Sequence, residues 1–167
     1  QAIPTLAELE TGPEEHEDPL AEERDMPVPG ITHRYPDRVL LYATHTCAVY
    51  CRHCTRRRKV SDPASAPPRD QIEAGIAYIA AHPEIRHVIV SGGDPLSLSE
   101  SALERILVPL QAIEQLSGDP RPIDLRLAGS IRGVDQPLVV RRQIGMGVRP
   151  LLAIAYRAAV DDPAVLT

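Results

Sequence analysis

The chain is 167 residues long, with 43% hydrophobic and 25% charged residues, a globular composition that excludes a disordered, collagen-like or wholly membrane-embedded polypeptide. Aromatic residues are scarce, with five Tyr, no Phe and no Trp, so a core must be built from Leu, Ile, Val and Ala. The net charge of −5 is unevenly spread: residues 1–30 hold nine acidic side chains against Arg24, while the remainder holds 14 acidic and 17 basic ones, and the single lysine is Lys59.

The acidic start, punctuated by Pro13, Pro19, Pro27 and Pro29, reads as a solvated approach segment over residues 1–37, wrapped on the body of the protein. It implies no nucleic-acid partner. No apolar run reaches the ~18 residues that a membrane span needs, and an acidic start is unlike an export signal. An odd number of clustered thiols without such a signal points to a reducing, cytoplasmic setting. With Gln1 at its start, the chain reads as a segment of something larger.

From Arg38 onward, apolar runs alternate with helical periodicity. Val39-Leu-Leu-Tyr-Ala-Thr44 has the continuous apolar character of a strand buried on both faces. A loop rich in Cys and Arg follows, to Pro68. Asp70-Gln-Ile-Glu73 has the spacing of a capping box, and Ile72, Ile76, Ile79 and Ala80 share the face of a helix that stops near His82-Pro83. His87-Val-Ile-Val-Ser91 is a second strand, closed by Gly92-Gly93-Asp94-Pro95. Ser99 is placed to cap a second helix with Leu103, Ile106, Leu107, Leu110 and Ile113 on one face, kinked at Pro109. A turn at Gly118–Pro122, a strand at Ile123–Leu127, a weaker helix at Gln136–Ile144 and a strand at Val148–Ala155 complete the order. Strand and helix alternating at this spacing give βαβ units and a parallel sheet. Both chemically loaded loops, Thr46–Lys59 and Ser91–Pro95, leave carboxyl ends of strands, where α/β folds place their sites.

All three cysteines fall within eight residues, Cys47-Ala-Val-Tyr-Cys51-Arg-His-Cys54. Three thiolates so close repel one another unless a metal neutralises them. A zinc site with His45 or His53 as fourth ligand is one solution, although paired knuckles are the usual signature. A ferredoxin-type carrier would need a fourth cysteine. A [4Fe–4S] cluster with three protein ligands and one open iron is the other solution.

This spacing, directly after the first strand of a βα series, resembles the radical S-adenosylmethionine superfamily. The flanks sharpen the match: Asp18-Pro-Leu20, Val28-Pro-Gly-Ile-Thr-His-Arg-Tyr-Pro-Asp-Arg38, Val49-Tyr-Cys-Arg-His-Cys-Thr-Arg-Arg-Arg58, Lys59-Val-Ser-Asp-Pro63, Ile76-Ala-Tyr-Ile79, Pro83-Glu-Ile-Arg86 and Ser91-Gly-Gly-Asp-Pro-Leu96 together resemble the lysine 2,3-aminomutase family, which includes glutamate 2,3-aminomutases. The resemblance runs from about Asp18 to Leu116.

The resemblance implies an α/β fold, the amino-terminal part of a partial (β/α)6 radical-SAM barrel over residues 38–167, comprising its first three to four βα units. It implies that Cys47, Cys51 and Cys54 hold the cluster, and that His53, Gly92, Gly93 and Asp94 contact S-adenosylmethionine. It further implies that Arg34, Tyr35 and Arg38 hold the phosphate of pyridoxal 5′-phosphate, a group that a guanidinium fork suits, and that Arg56 pairs with the carboxylate of the amino-acid substrate. Arg57, Arg58 and Lys59 read as solvated loop charges. The implied activity is migration of an α-amino group to the β-carbon through a 5′-deoxyadenosyl radical. Its partners would be a free amino acid, of lysine or glutamate type, and an external electron donor of flavodoxin or ferredoxin type. A homo-oligomer stays open for the full-length protein. The family's Schiff-base lysine belongs beyond Thr167, so this segment alone is expected to be inactive and, with open strand edges, poorly stable. Two family stretches are replaced here, by Leu127-Ala-Gly-Ser-Ile-Arg-Gly133 and Ala153-Ile-Ala-Tyr-Arg157. Alternatives are a relative that acts on the protein-bound lysine of elongation factor P, and an inactive cluster- or zinc-binding module.

Overall fold

The computed structural model describes residues 12–14, 16–49, 51, 53–60, 62–116 and 124–127. Over these residues the protein is α/β, with a four-stranded sheet and two helices. The strands are β1 (Ile31–Tyr35), β2 (Arg38–Thr44), β3 (His87–Gly92) and β4 (Asp124–Leu127), and the helices are α1 (Arg69–Ala81) and α2 (Glu100–Leu116). Spatial order follows chain order, with β2, β3 and β4 parallel. The turn at Gly118–Pro122, the helix at Gln136–Ile144 and the strand at Val148–Ala155 lie outside the described residues. Among the described residues, no helix is long and apolar enough to cross a membrane.

Strand β1 corrects the all-parallel expectation, since it runs antiparallel to β2 through a tight connection at Pro36-Asp37, with Tyr35 opposite Arg38 and Ile31 opposite Leu41. Only Ile31 in this strand is fully buried, and its last two residues are exposed, which is the pattern of an edge strand. The Asp37 carbonyl accepts from the amides of Arg86 and His87 at 2.8 and 2.9 Å, tying the hairpin to the start of β3.

The core lies on one face of the sheet. Ile31, Val39, Leu41, Ala43, Val88 and Val90 pack under Ile79 of α1 and Leu103, Ile106, Leu107 and Leu110 of α2. Alternation along the strand puts Arg38, Leu40 and Tyr42 on the opposite face, which carries no helix among the described residues.

Helix α1 begins earlier than the Asp70–Glu73 capping box predicts. Pro68, in extended conformation, stands at its N-cap without a side-chain bond. Asp70 is instead an acidic residue of the first turn, its carboxylate accepting from the Gln71 amide at 3.0 Å, where it complements the helix dipole. The helix ends as expected at His82, whose ring Nδ1 lies 2.7 Å from the Tyr78 carbonyl. Ser99 caps α2, its hydroxyl accepting from Ala102 N at 3.3 Å. That helix continues through Pro109 to Leu116.

Candidate cluster and cofactor site

The parallel pairing of β2 with β3 delivers the two loaded loops side by side. Thr44 of β2 stands opposite Gly92 of β3. Beyond the strands the contact continues, with Gly93 N donating to the Thr44 carbonyl and Asp94 N to the Thr46 carbonyl, both at 2.7 Å. The approach is so close that glycine is required twice. Gly92 has φ +125, and a Cβ there would sit 2.3 Å from the Thr44 carbonyl oxygen; a Cβ on Gly93 would sit 2.2 Å from that of Thr46. The glycines therefore lock the second loop onto the first residues of the cysteine loop.

Asp94, almost wholly buried, accepts from Leu96 N at 3.0 Å and caps the short 3-10 turn Pro95–Ser97. Its charge also reaches Cys47. The three thiols are free and half-buried. Cys47 Sγ donates to the Val49 carbonyl at 2.9 Å, and Cys51 Sγ is 3.9 Å from the same oxygen; the Cys54 amide donates to the Cys51 carbonyl at 3.0 Å. Burial pushes the Cys47 thiol up. The Val49 contact opposes this, and the charges of Asp94, Cys51 and Cys54 reinforce it. Anions are disfavoured at this point until a cation joins them, which is the donor chemistry a metal cluster requires. Among the described residues, no three His, Cys, Asp or Glu side chains converge as a single-ion site would require. His53 is exposed at the loop's rim and His45 is half-buried.

Of the basic run after Cys54, Arg57 is exposed as the sequence suggests, whereas Arg58 and Lys59 are not solvated charges. Arg56 forms a two-pronged pair with Glu22, Nε to Oε2 at 3.0 Å and Nη2 to Oε1 at 2.5 Å, and Glu22 is only 8% exposed. Arg58 lies 3.1 Å from Asp18 and 2.9 Å from Glu23, and also donates to the Glu17 carbonyl at 2.9 Å. Lys59 Nζ is 3.6 Å from Glu23 and sits over the Tyr42 ring. Burial raises the Tyr42 hydroxyl to about 12, with Arg56 opposing and Asp62 and Cys54 adding to the rise. Residues 17–23 of the acidic segment thus form a strap across the cysteine loop. Between the strap, the hairpin and the loop lies a cavity of about 240 Å3 lined by Glu22, Thr32, Tyr42, Arg56, Lys59 and Gln71. A larger groove of about 1100 Å3 between α1 and α2 is mostly apolar and contains none of the candidate site residues.

Arg34, Tyr35 and Arg38 are placed apart from the cysteines. They occupy the hairpin at the far end of β2, about 20 Å from Thr44 at ~3.3 Å per residue. Arg34 pairs with Asp25 at 2.6 Å and donates to the Leu20 carbonyl. Arg38 lies 5.9 Å from the centre of the exposed Tyr35 ring.

Comparison with known proteins converges on the same stretch. The 4Fe-4S single cluster domain family matches residues 35–117. The L-lysine 2,3-aminomutase of Fusobacterium nucleatum is 52% identical over 113 residues, 68% of this chain and 27% of that protein. The enzyme of that name from Methanococcus maripaludis is 50% identical over 116 residues, 70% of this chain and 27% of its own length. Over the matched residues the chain is similar to proteins named L-lysine 2,3-aminomutase. The glutamate 2,3-aminomutase of Clostridioides difficile is also similar, at 46% over 112 residues, 67% of this chain and 26% of its own. The chain spans about a quarter of the length of these curated relatives.

Within this family stretch, sequence reading singled out the cysteines, Gly92–Asp94 and Arg56. It missed Asp18, Glu22 and Glu23, which hold the basic run in place. The available signal was charge: the −8 balance of residues 1–30 faces a run of Arg56, Arg57, Arg58 and Lys59.

Proposed function

We propose that the protein carrying this chain is a radical S-adenosylmethionine, pyridoxal-phosphate-dependent 2,3-aminomutase that moves the α-amino group of a free amino acid, of lysine or glutamate type, to its β-carbon. The observation that supports this reading most is the cysteine loop at the carboxyl end of β2, locked by Gly92 and Gly93 onto the end of β3, within a stretch about half identical to relatives named L-lysine 2,3-aminomutase. When bound, the 4Fe-4S cluster, S-adenosylmethionine and pyridoxal phosphate supply the radical chemistry by which hydrogen leaves the β-carbon, the amino group crosses, and hydrogen returns.

In this reading, Cys47, Cys51 and Cys54 hold the cluster through three thiolates, which leaves one iron for a non-protein ligand. Gly92 and Gly93 bring bare backbone to the site, and Asp94 offers a buried carboxylate suited to the methionine ammonium. His53 stands beside the last cluster ligand, at the adenine. Arg56 binds the substrate carboxylate, and Arg34, Tyr35 and Arg38 hold the cofactor phosphate at the other end of the face that carries no helix among the described residues. Lys59 is engaged with Glu23, so the lysine that anchors pyridoxal phosphate comes from outside the matched stretch. Strands β2–β4 and helices α1 and α2 belong to the first βα units of a (β/α)6 barrel, of which residues 38–167 supply the amino-terminal part, with residues 1–37 packed on it. An external flavodoxin- or ferredoxin-type donor reduces the cluster, in a cytoplasmic setting.

The test is anaerobic reconstitution of the full-length protein with iron and sulfide, followed by reduction with dithionite in the presence of S-adenosylmethionine and lysine or glutamate. The expected result is iron–sulfur absorbance, 5′-deoxyadenosine and a β-amino acid. Tight zinc without iron–sulfur absorbance, or a cluster that never cleaves S-adenosylmethionine, would overturn it.

A further inference from the structure

We propose that Glu22 is a positioning residue for Arg56: it grips one edge of the guanidinium and thereby aims the other at the carboxylate of the amino-acid substrate. This rests on the role proposed above for Arg56. A guanidinium has two edges that a carboxylate can bridge, Nε with Nη2 and Nη1 with Nη2. Glu22 takes the first, through Nε at 3.0 Å and Nη2 at 2.5 Å. Among the described residues, no hydrogen bond engages Nη1, so the second edge keeps the planar fork that recognises a carboxylate.

Glu22 is seated as a fixture, not as a plug that substrate must displace. It is 8% exposed, and its turn is fixed by contacts other than its own. Ala21 adopts φ +51, a conformation L-residues rarely keep without support, and its amide donates to the Asp18 carbonyl at 3.0 Å. The Asp18 carboxylate accepts from the amide of Glu23 at 2.9 Å, and Arg58 ties Asp18 and Glu23 together from the cysteine loop. That turn holds Glu22 against Arg56 through bonds independent of the pair, so the pair persists while the free edge of Arg56 does the binding. Arg56 also lies two residues beyond Cys54, so its aim sets where a bound carboxylate rests relative to the cluster loop.

The test uses the full-length reconstituted protein and measures KM and kcat for the amino acid, with the substrate dissociation constant measured without reductant. Glu22→Gln keeps the shape but removes the charge, and is expected to raise both KM and the dissociation constant about tenfold, the scale of one charge-assisted hydrogen bond, with kcat changed less than about threefold. Glu22→Asp, which keeps the charge one methylene short, is expected to fall between. On an Arg56→Lys background, Glu22→Gln is expected to add less than about twofold. An unchanged KM in Glu22→Gln, beside one that Arg56→Lys raises, overturns the proposal alone. A lowered KM overturns it by making Glu22 a competitor of substrate. A tenfold rise that persists on the Arg56→Lys background overturns it by making Glu22 merely structural. A KM indifferent to Arg56→Lys removes the role of Arg56 and this proposal with it. Should Glu22→Gln not fold, the same split read on Glu22→Asp, at about threefold, decides.

Discussion

Replacing Gly93 with Ala isolates the contact between the two loaded loops. The new Cβ would lie 2.2 Å from the Thr46 carbonyl oxygen, 2.7 Å from its carbon and 3.2 Å from the Cys47 amide nitrogen. Every one of those atoms is backbone, so no rotamer change relieves the overlap, and the loops must separate. Separation strains or breaks the bonds from Gly93 N to Thr44 O and from Asp94 N to Thr46 O. At about 1 kcal/mol for each bond, with a further contribution from displaced backbone, the expected loss is about 2–4 kcal/mol. Gly75→Ala is the control. There the Cβ meets side chains and no backbone, Leu41 Cδ1 at 2.9 Å and Ile31 Cδ1 and Cγ1 at 3.3 Å, and alanine is intrinsically better than glycine inside a helix by about 1 kcal/mol, so the net change should stay within about 1 kcal/mol. Urea unfolding gives both values, and iron bound per chain after reconstitution reports the position of Cys47. A Gly93→Ala protein within about 0.5 kcal/mol of the parent and with full iron content would refute the reasoning.

Asp18 carries the pH dependence of the strap. Burial would raise its carboxyl, but the amides of Glu23 and Glu22 and the Arg58 guanidinium outweigh it and hold the group at about 2 against an ordinary 3.8. Between those values the unfolded chain binds more protons than the folded one, so the stabilisation is present above pH ~4 and is lost as pH falls toward 2. Asp18→Asn should cost about 1–2 kcal/mol at pH 6, shrinking as unfolding is followed down to pH 3; a cost independent of pH counts against this account. Ser99→Ala removes the α2 cap at Ala102 N and should lower stability by about 0.5–1 kcal/mol, checked by denaturant titration. Leu110→Ala, at a fully buried core position, should cost about 2–5 kcal/mol, whereas Val108→Ser on the exposed side of the same helix should stay within about 0.5 kcal/mol.

The legible parts of the fold were those whose signal is local. β2 and β3 each place apolar side chains on both faces, and the Ile and Leu spacing of α1 and α2 matches the faces that meet in the core. Strand β1 escaped because an edge strand needs few buried side chains: Ile31 alone is fully buried, and His33, Arg34 and Tyr35 look like loop residues. What makes it a strand is its partner, since it pairs with β2 across Pro36-Asp37. The start of α1 was displaced for a related reason: Asp70 fits both an N-cap and the first helical turn, and only the extended conformation of Pro68 decides between them.

The site divides along the same line. Cys47, Cys51 and Cys54 announce themselves by spacing, and Gly92 and Gly93 by falling at a strand end, but the need for those glycines lies in the backbone of residues 44–46, which is distant in sequence. The ion pairs between the strap and the basic run join residues more than 30 positions apart, beyond any periodicity. Net charge nevertheless carried a trace of them. A segment at −8 followed by a run of four cations twenty-odd residues later admits two outcomes, separate solvation or mutual docking. Docking gains when the cations are already half-buried, because an unpaired guanidinium beside Tyr42 and the cysteine loop would be left without its hydration. Tyr42, 8% exposed, supplies that dry wall. An acidic, proline-punctuated lead-in is therefore best weighed against the nearest buried basic run before it is assigned to solvent.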